Sequence, residues 1–313
     1  MLELQQLQYA VEVERTGSIS KAAEKFYVSQ PFLSKAIRAL ETSVGFEIFN
    51  RTSRGVVATK KGEAFLSHAK EILASAEDLE NKFLPRRTTA YNLEFAVPVA
   101  CYVSHAFVEF IKNIDKSAGI HVDYRETNTM NAIERIASHD CNLGVIRYSL
   151  DYEDYYLRYL ESKDIKCRPL WDFEYRLVFY KNSPLARKTN ITLEDLNGMI
   201  EITHGDPTVP SLSAAENLKL HSKNKETKEI VVYERQSQFE LLCQVPNTYM
   251  WASRTPKSVM DVYPLVERTC SGATVCRDAL IWRSSYHITD GDRLFIESIN
   301  DTIEMLKEGE SQK

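Results

Sequence analysis

The sequence predicts an α/β protein in three parts: a small helical N-terminal domain, a long connecting helix and a larger C-terminal α/β domain. Apolar residues recur at helical spacing through most of the chain before Phe83. The segment Pro85–Thr89 interrupts this pattern, and from Asn92 onward short apolar strands alternate with helices. These changes place the domain boundaries at 1–59, 60–90 and 91–313.

The composition excludes several classes of protein. The chain has 313 residues, of which 43% are hydrophobic and 27% charged, as in ordinary soluble proteins. It has no apolar run long enough to span a membrane, and its start lacks the pattern of a secretory signal, so we expect a cytoplasmic protein without membrane contact. The net charge is −5, but residues 1–60 carry +2 and the remainder −7. A basic N-terminal domain on an acidic body suits a protein that binds DNA through that domain.

A helix-turn-helix is predicted over residues 18–37. Ser18 and Ser29 are good N-caps for two short helices, and Pro31 lies in the first turn of the second, where a missing N–H costs little. The turn between them is Tyr27-Val28. A preceding helix, which packs on the pair, is predicted from the apolar spacing of Leu4, Leu7, Ala10 and Val11.

The second helix of the pair has an apolar arc and a polar arc. A rotation of 100° per residue places Phe32, Leu33, Ala36, Ile37, Ala39 and Leu40 on one side. The opposite arc, preceded by its cap Ser29, carries Gln30, Pro31, Ser34, Lys35 and Arg38. Groups of these kinds can bond base edges and phosphates in a major groove. This stretch alone leaves open an ordinary amphipathic hairpin with a solvated outer face.

A two-stranded wing follows the predicted end of that helix at Gly45. The strands are expected at Phe46–Phe49 and Gly55–Ala58, around a polar loop that carries Arg51 and Arg54. We expect both arginines to contact phosphate or the minor groove. For Arg54, a solvated loop side chain is an equally good interpretation.

A long helix capped by Thr59 carries a seam of apolar residues at alternating spacings of four and three. The seam consists of Phe65, Ala69, Ile72, Ala76, Leu79 and Phe83. Such a seam can dock on its own domain or pair with the same helix of a second chain, and we favour pairing.

The stretch from Leu4 to Phe65 resembles the winged helix-turn-helix of the LysR-type transcriptional regulators. The matching positions are Gly17-Ser18, Ala22-Ala23, Ser29-Gln30-Pro31, Leu33-Ser34, Ile37, Leu40-Glu41, Gly45, Phe49, Arg51, Thr59 and Gly62. The resemblance implies that the long helix dimerises the protein, to a dimer or tetramer. For the part from Asn92 onward, the alternation of strands and helices predicts mostly parallel sheets. The resemblance implies a C-terminal effector domain of two lobes like those of periplasmic binding proteins. Lobe I would span 91–165 and 268–313 and lobe II 166–267, joined by crossovers near 162–172 and 262–276.

A ligand would bind in the cleft between these lobes, beyond the carboxyl ends of strands and near helix N-termini. The residues selected by that rule, at turns that the family also uses, are Ala100, Cys101, Tyr102, Ser104, Asn128, Thr129, Arg147, Tyr148, Thr203 and His204. The chain departs from the family in having Ala100-Cys101-Tyr102 where a small hydroxyl residue is common, and Gln244–Thr248 where a glycine-rich turn is usual. Both departures argue against a small, simple carboxylate as effector. A tyrosine cluster before the first crossover either packs on the surface and hinge or borders the cleft: Tyr148, Tyr152, Tyr155, Tyr156 and Tyr159.

The sequence therefore predicts a sequence-specific DNA-binding transcriptional regulator controlled by a small-molecule effector. Its expected partners are double-stranded DNA, that effector and itself, with RNA polymerase left open. No catalytic motif or metal-ligand spacing occurs, so we expect neither an enzyme nor a metal or cofactor. One alternative is a redox-sensing regulator using Cys270 and Cys276, in place of scattered reduced thiols. Another is a winged-helix repressor with an unrelated sensor domain.

Overall fold

The chain divides into two units, Met1–Thr88 and Thr89–Lys313, which are considered separately. The computed structural model describes residues 3–52, 55–83, 91–117, 119–205 and 228–311. The predicted α/β class, with a helical N-terminal domain, is confirmed.

The first unit contains four helices and one hairpin within its described residues. They are α1 (Leu4–Thr16), α2 (Ile19–Lys25), α3 (Gln30–Val44), β1 (Phe49–Thr52), β2 (Gly55–Ala58) and α4 (Lys60–Phe83). Its core joins Ala10 and Val13 of α1, Leu33 and Ile37 of α3, and Leu66 of α4. The helix-turn-helix is thus held from both sides by α1 and α4.

The helix ends follow from local sequence. The Ser18 and Ser29 hydroxyls accept hydrogen bonds from backbone N–H groups of the first turns of α2 and α3, as predicted. Gly17 and Gly45 end α1 and α3 at φ +60° and +80°, a conformation that favours glycine. Gly62 lies so close to the wing that a Cβ there would be 2.0 Å from the Ile48 carbonyl oxygen.

The first wing strand was predicted wrongly as Phe46–Phe49; it runs over Phe49–Thr52, so that Arg51 lies in a strand. The reason is that backbone groups of residues 47–49 bond to side chains outside the hairpin. The Glu41 carboxylate accepts the N–H groups of Ile48 and Phe49 at 2.9 and 3.1 Å. The Thr59 hydroxyl donates to the Glu47 carbonyl. These bonds, made by residues outside the hairpin, hold the start of the wing against α3 and α4.

The second unit consists of two lobes, each with a five-stranded sheet. Lobe I has the strand order β4-β3-β5-β14-β6 and lobe II the order β10-β9-β11-β7-β12. The strands of lobe I are β3 (Tyr91–Val97), β4 (Ile120–Glu126), β5 (Leu143–Ser149), β6 (Ile165–Glu174) and β14 (Val275–Arg283). Those of lobe II are β7 (Arg176–Tyr180), β9 (Ile200–His204), β10 (Lys228–Val232), β11 (Thr248–Ala252) and β12 (Leu265–Arg268), beside the small pair β8 (Ile191–Thr192) and β13 (Cys270–Ser271).

Helices cover both faces of the lobe I sheet. α5 (Cys101–Asn113) and α10 (Asp290–Ser311) share one apolar core, while α6 (Thr129–Ala137) and α7 (Glu153–Ser162) share another. In lobe II, α8 (Arg235–Gln244) packs on one face, with the short α9 (Lys257–Met260) nearby. Short 3₁₀ helices span Leu150–Tyr152, Pro184–Arg187 and Leu193–Leu196.

The sheets are mixed rather than mostly parallel, because the chain crosses between the lobes twice. β6 leaves lobe I beside β14, which returns, and the two pair antiparallel. β7 and β12 do the same in lobe II. The first crossover therefore lies at Tyr175, later than expected, and residues 166–174, which the sequence assigned to lobe II, belong to the lobe I sheet. The Tyr175 N–H donates to the Thr274 carbonyl at 3.1 Å, which joins the two crossing segments.

Candidate DNA-binding face and effector cleft

One side of α3 is an exposed polar surface. Gln30, Pro31, Lys35 and Arg38 are exposed, and Ser34 is half-buried. Two residues were predicted wrongly on the apolar arc: Phe32 is 53% exposed, and Ala39 is exposed as well. Leu33, Ile37 and Leu40 are the buried residues that α3 contributes to the core, and Phe32 lies on the outer face with an edge contact to Tyr9.

A concavity of about 810 Å³ lies between the C-terminal half of α3 and the wing. Arg38 and Thr42 line it from α3, and Asn50 from β1. The backbone of Arg51 lies in β1, and Arg54 lies outside the described residues. A polar concave surface beside an exposed cationic helix can follow a duplex backbone while α3 enters a groove.

A buried carboxylate stabilises this unit from the inside. Glu12 is 5% exposed and pairs with Arg15 at 2.5 Å and with Lys25 at 2.7 Å, which ties α1 to α2. Burial opposes ionisation of Glu12, but the hydrogen bonds from the two cations outweigh it and lower the pKa of the carboxyl.

The apolar seam of α4 is divided. Phe65 packs edge-to-face on Phe46, and Ala69, at 1% exposed, lies in the core of its own domain. Ile72 and Leu79 are 46% and 62% exposed. Ala76 is half-buried, and Phe83 ends the helix. The first half of the seam therefore docks on its own domain, and the second half presents apolar side chains to the outside.

The two lobes meet at the N-terminal half of α5. Cys101, in its first turn, packs in the lobe II core beside Val178 and Leu265. One turn later, His105 Nδ1 and the Ser258 hydroxyl are 3.3 Å apart across the same boundary. The carboxyl end of β4 and the N-terminus of α8 reach this boundary too.

An ion pair with a serine between its partners crosses the lobe boundary. Arg235, the first residue of α8, donates through Nη2 to Glu126 Oε1 and through Nη1 to the Ser104 hydroxyl at 2.7 Å. Ser104 in turn donates to Glu126 Oε1 at 2.9 Å. Both charged side chains are about three-quarters buried. Ser104 was a predicted effector residue, and Glu126 begins the turn after β4 (126–129) that the strand-end rule selects. Arg235 was missed because it shows no local sequence signal.

A second charged group lies beneath the crossovers. Asp278 is fully buried and accepts from Arg147 Nε and Nη2 at 2.8 and 2.7 Å and from the Tyr102 hydroxyl at 2.5 Å. The Arg147 guanidinium also lies 4.8 Å from the Phe173 ring centroid. Burial favours the neutral guanidine, but Asp278 raises the pKa of Arg147 well above its usual value. Asp278 does have a signal: a lone carboxylate in the apolar strand β14 requires a buried partner.

Several predicted effector residues are core residues. Ala100 and Tyr102 are buried in the apolar core around α5 and α10. Tyr148 lies on the other face of the sheet, where it stacks on Tyr156 at 5.2 Å. They were selected because they follow predicted strand ends. Tyr148 instead lies within β5, where alternation along the strand directs it to the other face, and Ala100 and Tyr102 are buried at the start of α5.

The remaining predicted residues mostly hold local structure. Asn128 caps α6, and the Thr129 hydroxyl donates to the Arg147 carbonyl. In lobe II, the Thr203 hydroxyl donates to Glu229 at 2.7 Å, and His204 Nε2 lies 2.9 Å from the Tyr233 carbonyl oxygen.

The tyrosine cluster packs within lobe I. Tyr148 and Tyr156 are core residues, and Tyr152, Tyr155 and Tyr159 pack against them with α6. Tyr159 donates to Glu134 at 2.5 Å. Packing within lobe I therefore describes this cluster better than a border of the cleft does, with Tyr148 and Tyr156 in the core and not on the surface.

The cysteine thiols lack the features of a redox switch. Cys270 and Cys276 are both buried and belong to separate cores, in lobe II and lobe I respectively. Burial raises the pKa of both thiols, to about 12 for Cys276. Across the described ranges, no group of three or more His, Cys, Asp or Glu residues is arranged to hold a metal ion. In those same ranges, no helix has the length and apolar character needed to cross a membrane.

Comparison with known proteins decides the family. The model "Bacterial regulatory helix-turn-helix protein, lysR family" matches residues 4–63, and "LysR substrate binding domain" matches 109–219, together more than half of the chain. The chain belongs to the LysR family. It is a DNA-binding transcriptional regulator with an effector-binding domain, as its resemblance to LysR-type regulators implied.

Curated relatives and solved structures agree with this family assignment. AlsR of Bacillus subtilis is 28% identical over 217 residues, 67% of this chain and 67% of AlsR. TfdT of Cupriavidus pinatubonensis is 42% identical over 73 residues, 23% of this chain and 32% of TfdT. An OxyR variant from Pseudomonas aeruginosa superposes with a TM-score of 0.68 at 18% identity, covering 97% of this chain and 95% of that one. CbnR complexed with its target DNA gives 0.57 at 17% identity, covering 96% and 100%. At these identities the structural likeness shows the fold.

Proposed function

We propose that this LysR-type regulator binds its operator through the exposed face of α3 and the wing. The observation that carries this proposal is the polar surface around Lys35 and Arg38, on a helix whose opposite side is fixed in the core. Gln30, Ser34 and Arg38 would bond base edges, while Ser29, Pro31, Lys35, Arg51 and Arg54 would contact the backbone or the groove walls. A solved structure of the same fold, CbnR, is complexed with its target DNA, which supports DNA binding by this fold.

We propose further that two chains pair through the second half of the α4 seam. Ile72 and Leu79 are large apolar side chains, exposed one heptad apart. Because Ala69 is already buried within its own domain and Phe65 packs against it, the contact would begin at Ile72 and include Ala76 and Phe83. A dimer, or a tetramer built from dimers, would read paired half-sites.

The effector would bind where α5, the end of β4 and the N-terminus of α8 meet between the lobes. Ser104 supplies a hydroxyl there, one turn later than the family's usual position, and Arg235 supplies a cation. Asn128, Thr203 and His204 would border the site. The protein would act in the cytoplasm, as a regulator rather than an enzyme, and RNA polymerase remains a candidate partner.

The experiment that tests the DNA-binding proposal is quantitative footprinting with Arg38→Ala. If Arg38 reads a base, specific affinity should fall by about 1–3 kcal/mol and sequence preference should relax at one position. If it contacts phosphate, affinity should fall uniformly and the salt slope should drop by about one. Arg158→Ala removes a surface arginine of α7 and serves as the control. Unchanged affinity and preference in Arg38→Ala would refute the proposed face.

A further inference from the structure

The boundary between the lobes already holds a carboxylate, supplied by the chain itself. Glu126 Oε1 accepts from both the Arg235 guanidinium and the Ser104 hydroxyl. These two donors come from opposite lobes, and Arg235 Nη1 donates to Ser104 as well, which closes a three-membered group. A guanidinium and a hydroxyl converging on one oxygen are a receptor for an anion.

The position of this group favours a ligand over a purely structural pair. Glu126 is the last residue of β4, beside the parallel strand β3, whose carboxyl end lies at the same edge of the sheet. Ser104 lies near the N-terminus of α5, and Arg235 is the first residue of α8. Both residues lie in the first turn of their helices, where the positive end of a helix dipole favours a nearby anion.

We propose that Glu126 occupies the anion position of the effector site, and that the effector carries a carboxylate or a similar anionic group that displaces it. This inference rests on the proposed function in placing the effector between the lobes. When the ligand displaces Glu126, Arg235 of lobe II bonds to the ligand in place of Glu126 of lobe I. Ligand binding therefore changes the contact between the two lobes. The Glu126 carboxylate competes with the effector for Arg235 and Ser104. The site therefore binds an anion more tightly when this carboxylate is removed than it does in the wild-type protein.

The test is chemical rescue of Glu126→Ala in the full chain. This substitution removes the Cγ and the carboxylate, which acetate has in the same connection. We expect the melting temperature of the effector domain to fall by about 2–4 °C, and sodium acetate to restore it more than equal concentrations of sodium chloride or of acetamide, its neutral isostere. In Glu126→Ala/Arg235→Ala, acetate should have no effect beyond that of chloride.

Two results would overturn the inference. Acetate would be no better than chloride for Glu126→Ala, or it would stabilise the double variant equally. Neither result depends on DNA, whereas the proposed function fails if the wild-type chain gives no operator footprint. The two failures are therefore distinguishable.

An independent observation concerns Phe32. This large apolar side chain is 53% exposed on α3, beside Lys35 on the proposed DNA face. The apolar group that the base edges present in the major groove is the 5-methyl of thymine, which an aromatic side chain can contact. We infer that Phe32 contacts a thymine methyl and so specifies thymine at one position of each half-site.

Replacing thymine by deoxyuridine, one position at a time, in a duplex selected by the wild-type protein tests this contact because only the methyl is lost. At one position the replacement should lower the affinity of the wild type about 3- to 10-fold. At that same position it should not lower the affinity of Phe32→Ala any further. Phe32→Leu, which keeps an apolar group, should retain part of the sensitivity. If Phe32→Ala remains as sensitive as the wild type, the methyl contact belongs to another residue such as Pro31.

Discussion

The ion pair between Arg147 and Asp278 offers a sharp test of the structure of lobe I. Asp278→Asn keeps the shape of the side chain and leaves an acceptor for the Tyr102 hydroxyl. It removes the countercharge from a guanidinium that is only 11% exposed. The substitution therefore isolates the charge, with no cavity in the core.

The expected cost follows from this burial. Removing one partner of a buried ion pair costs about 3–5 kcal/mol, because the other charge remains in a poorly solvated place. For a domain of this size, 1 kcal/mol corresponds to about 2–4 °C, so the melting temperature should fall by roughly 6–20 °C. The matched control is Asp172→Asn. Asp172 also pairs with an arginine of β14, Arg277, but is 44% exposed, so its loss should cost about 1 kcal/mol or less.

Tryptophan fluorescence measures this unfolding selectively. The three tryptophans of the chain, Trp171, Trp251 and Trp282, all lie in the second unit. Urea titration of the full chain therefore reports the effector domain without interference from the DNA-binding domain. Equal losses of stability in Asp278→Asn and Asp172→Asn would refute the assignment of Asp278 as a buried countercharge.

Further variants test the α4 seam, the buried Glu12 carboxylate and the cysteine thiols. Ile72→Asp should dissociate the dimer in sedimentation experiments, while Leu4→Asp, at a similarly exposed apolar residue of α1, should not. The pKa of Glu12 is lowered in the folded state, so its stabilisation is present above the unfolded pKa of about 4.3 and is lost as pH falls through the lower folded pKa. Glu12→Gln should therefore be less stable than the wild type at pH 7, and the difference in stability between the two should become smaller in acid. Unfolding followed by far-ultraviolet circular dichroism measures both. Peroxide should leave operator binding unchanged both in the wild type and in Cys270→Ser/Cys276→Ser. If peroxide changes operator binding by the wild type but not by the double variant, the redox alternative is restored.

Local sequence determined the parts of this protein that depend on neighbouring residues. Ser18 and Ser29 cap the helices that were predicted for them, because a cap needs only the N–H groups two or three residues later. Gly17 and Gly45 end helices for an equally local reason, a positive φ. The family resemblance over Leu4–Phe65 depended on such positions at fixed spacing, and so the class and function could be predicted.

The tertiary structure decided what depends on distant partners. Arg235 and Glu126 are 109 residues apart, and Arg147 and Asp278 are 131 apart, so no local pattern joins them. Helical periodicity placed Phe32 on the apolar arc, but how many side chains the core accepts depends on α1 and α4, which already fill it. Strand β6 joined lobe I because β14 returns beside it from the other lobe, more than one hundred residues later. A pattern in the chain fixes which groups a segment offers, and the packing of remote segments fixes which of them are buried, paired or left at the surface.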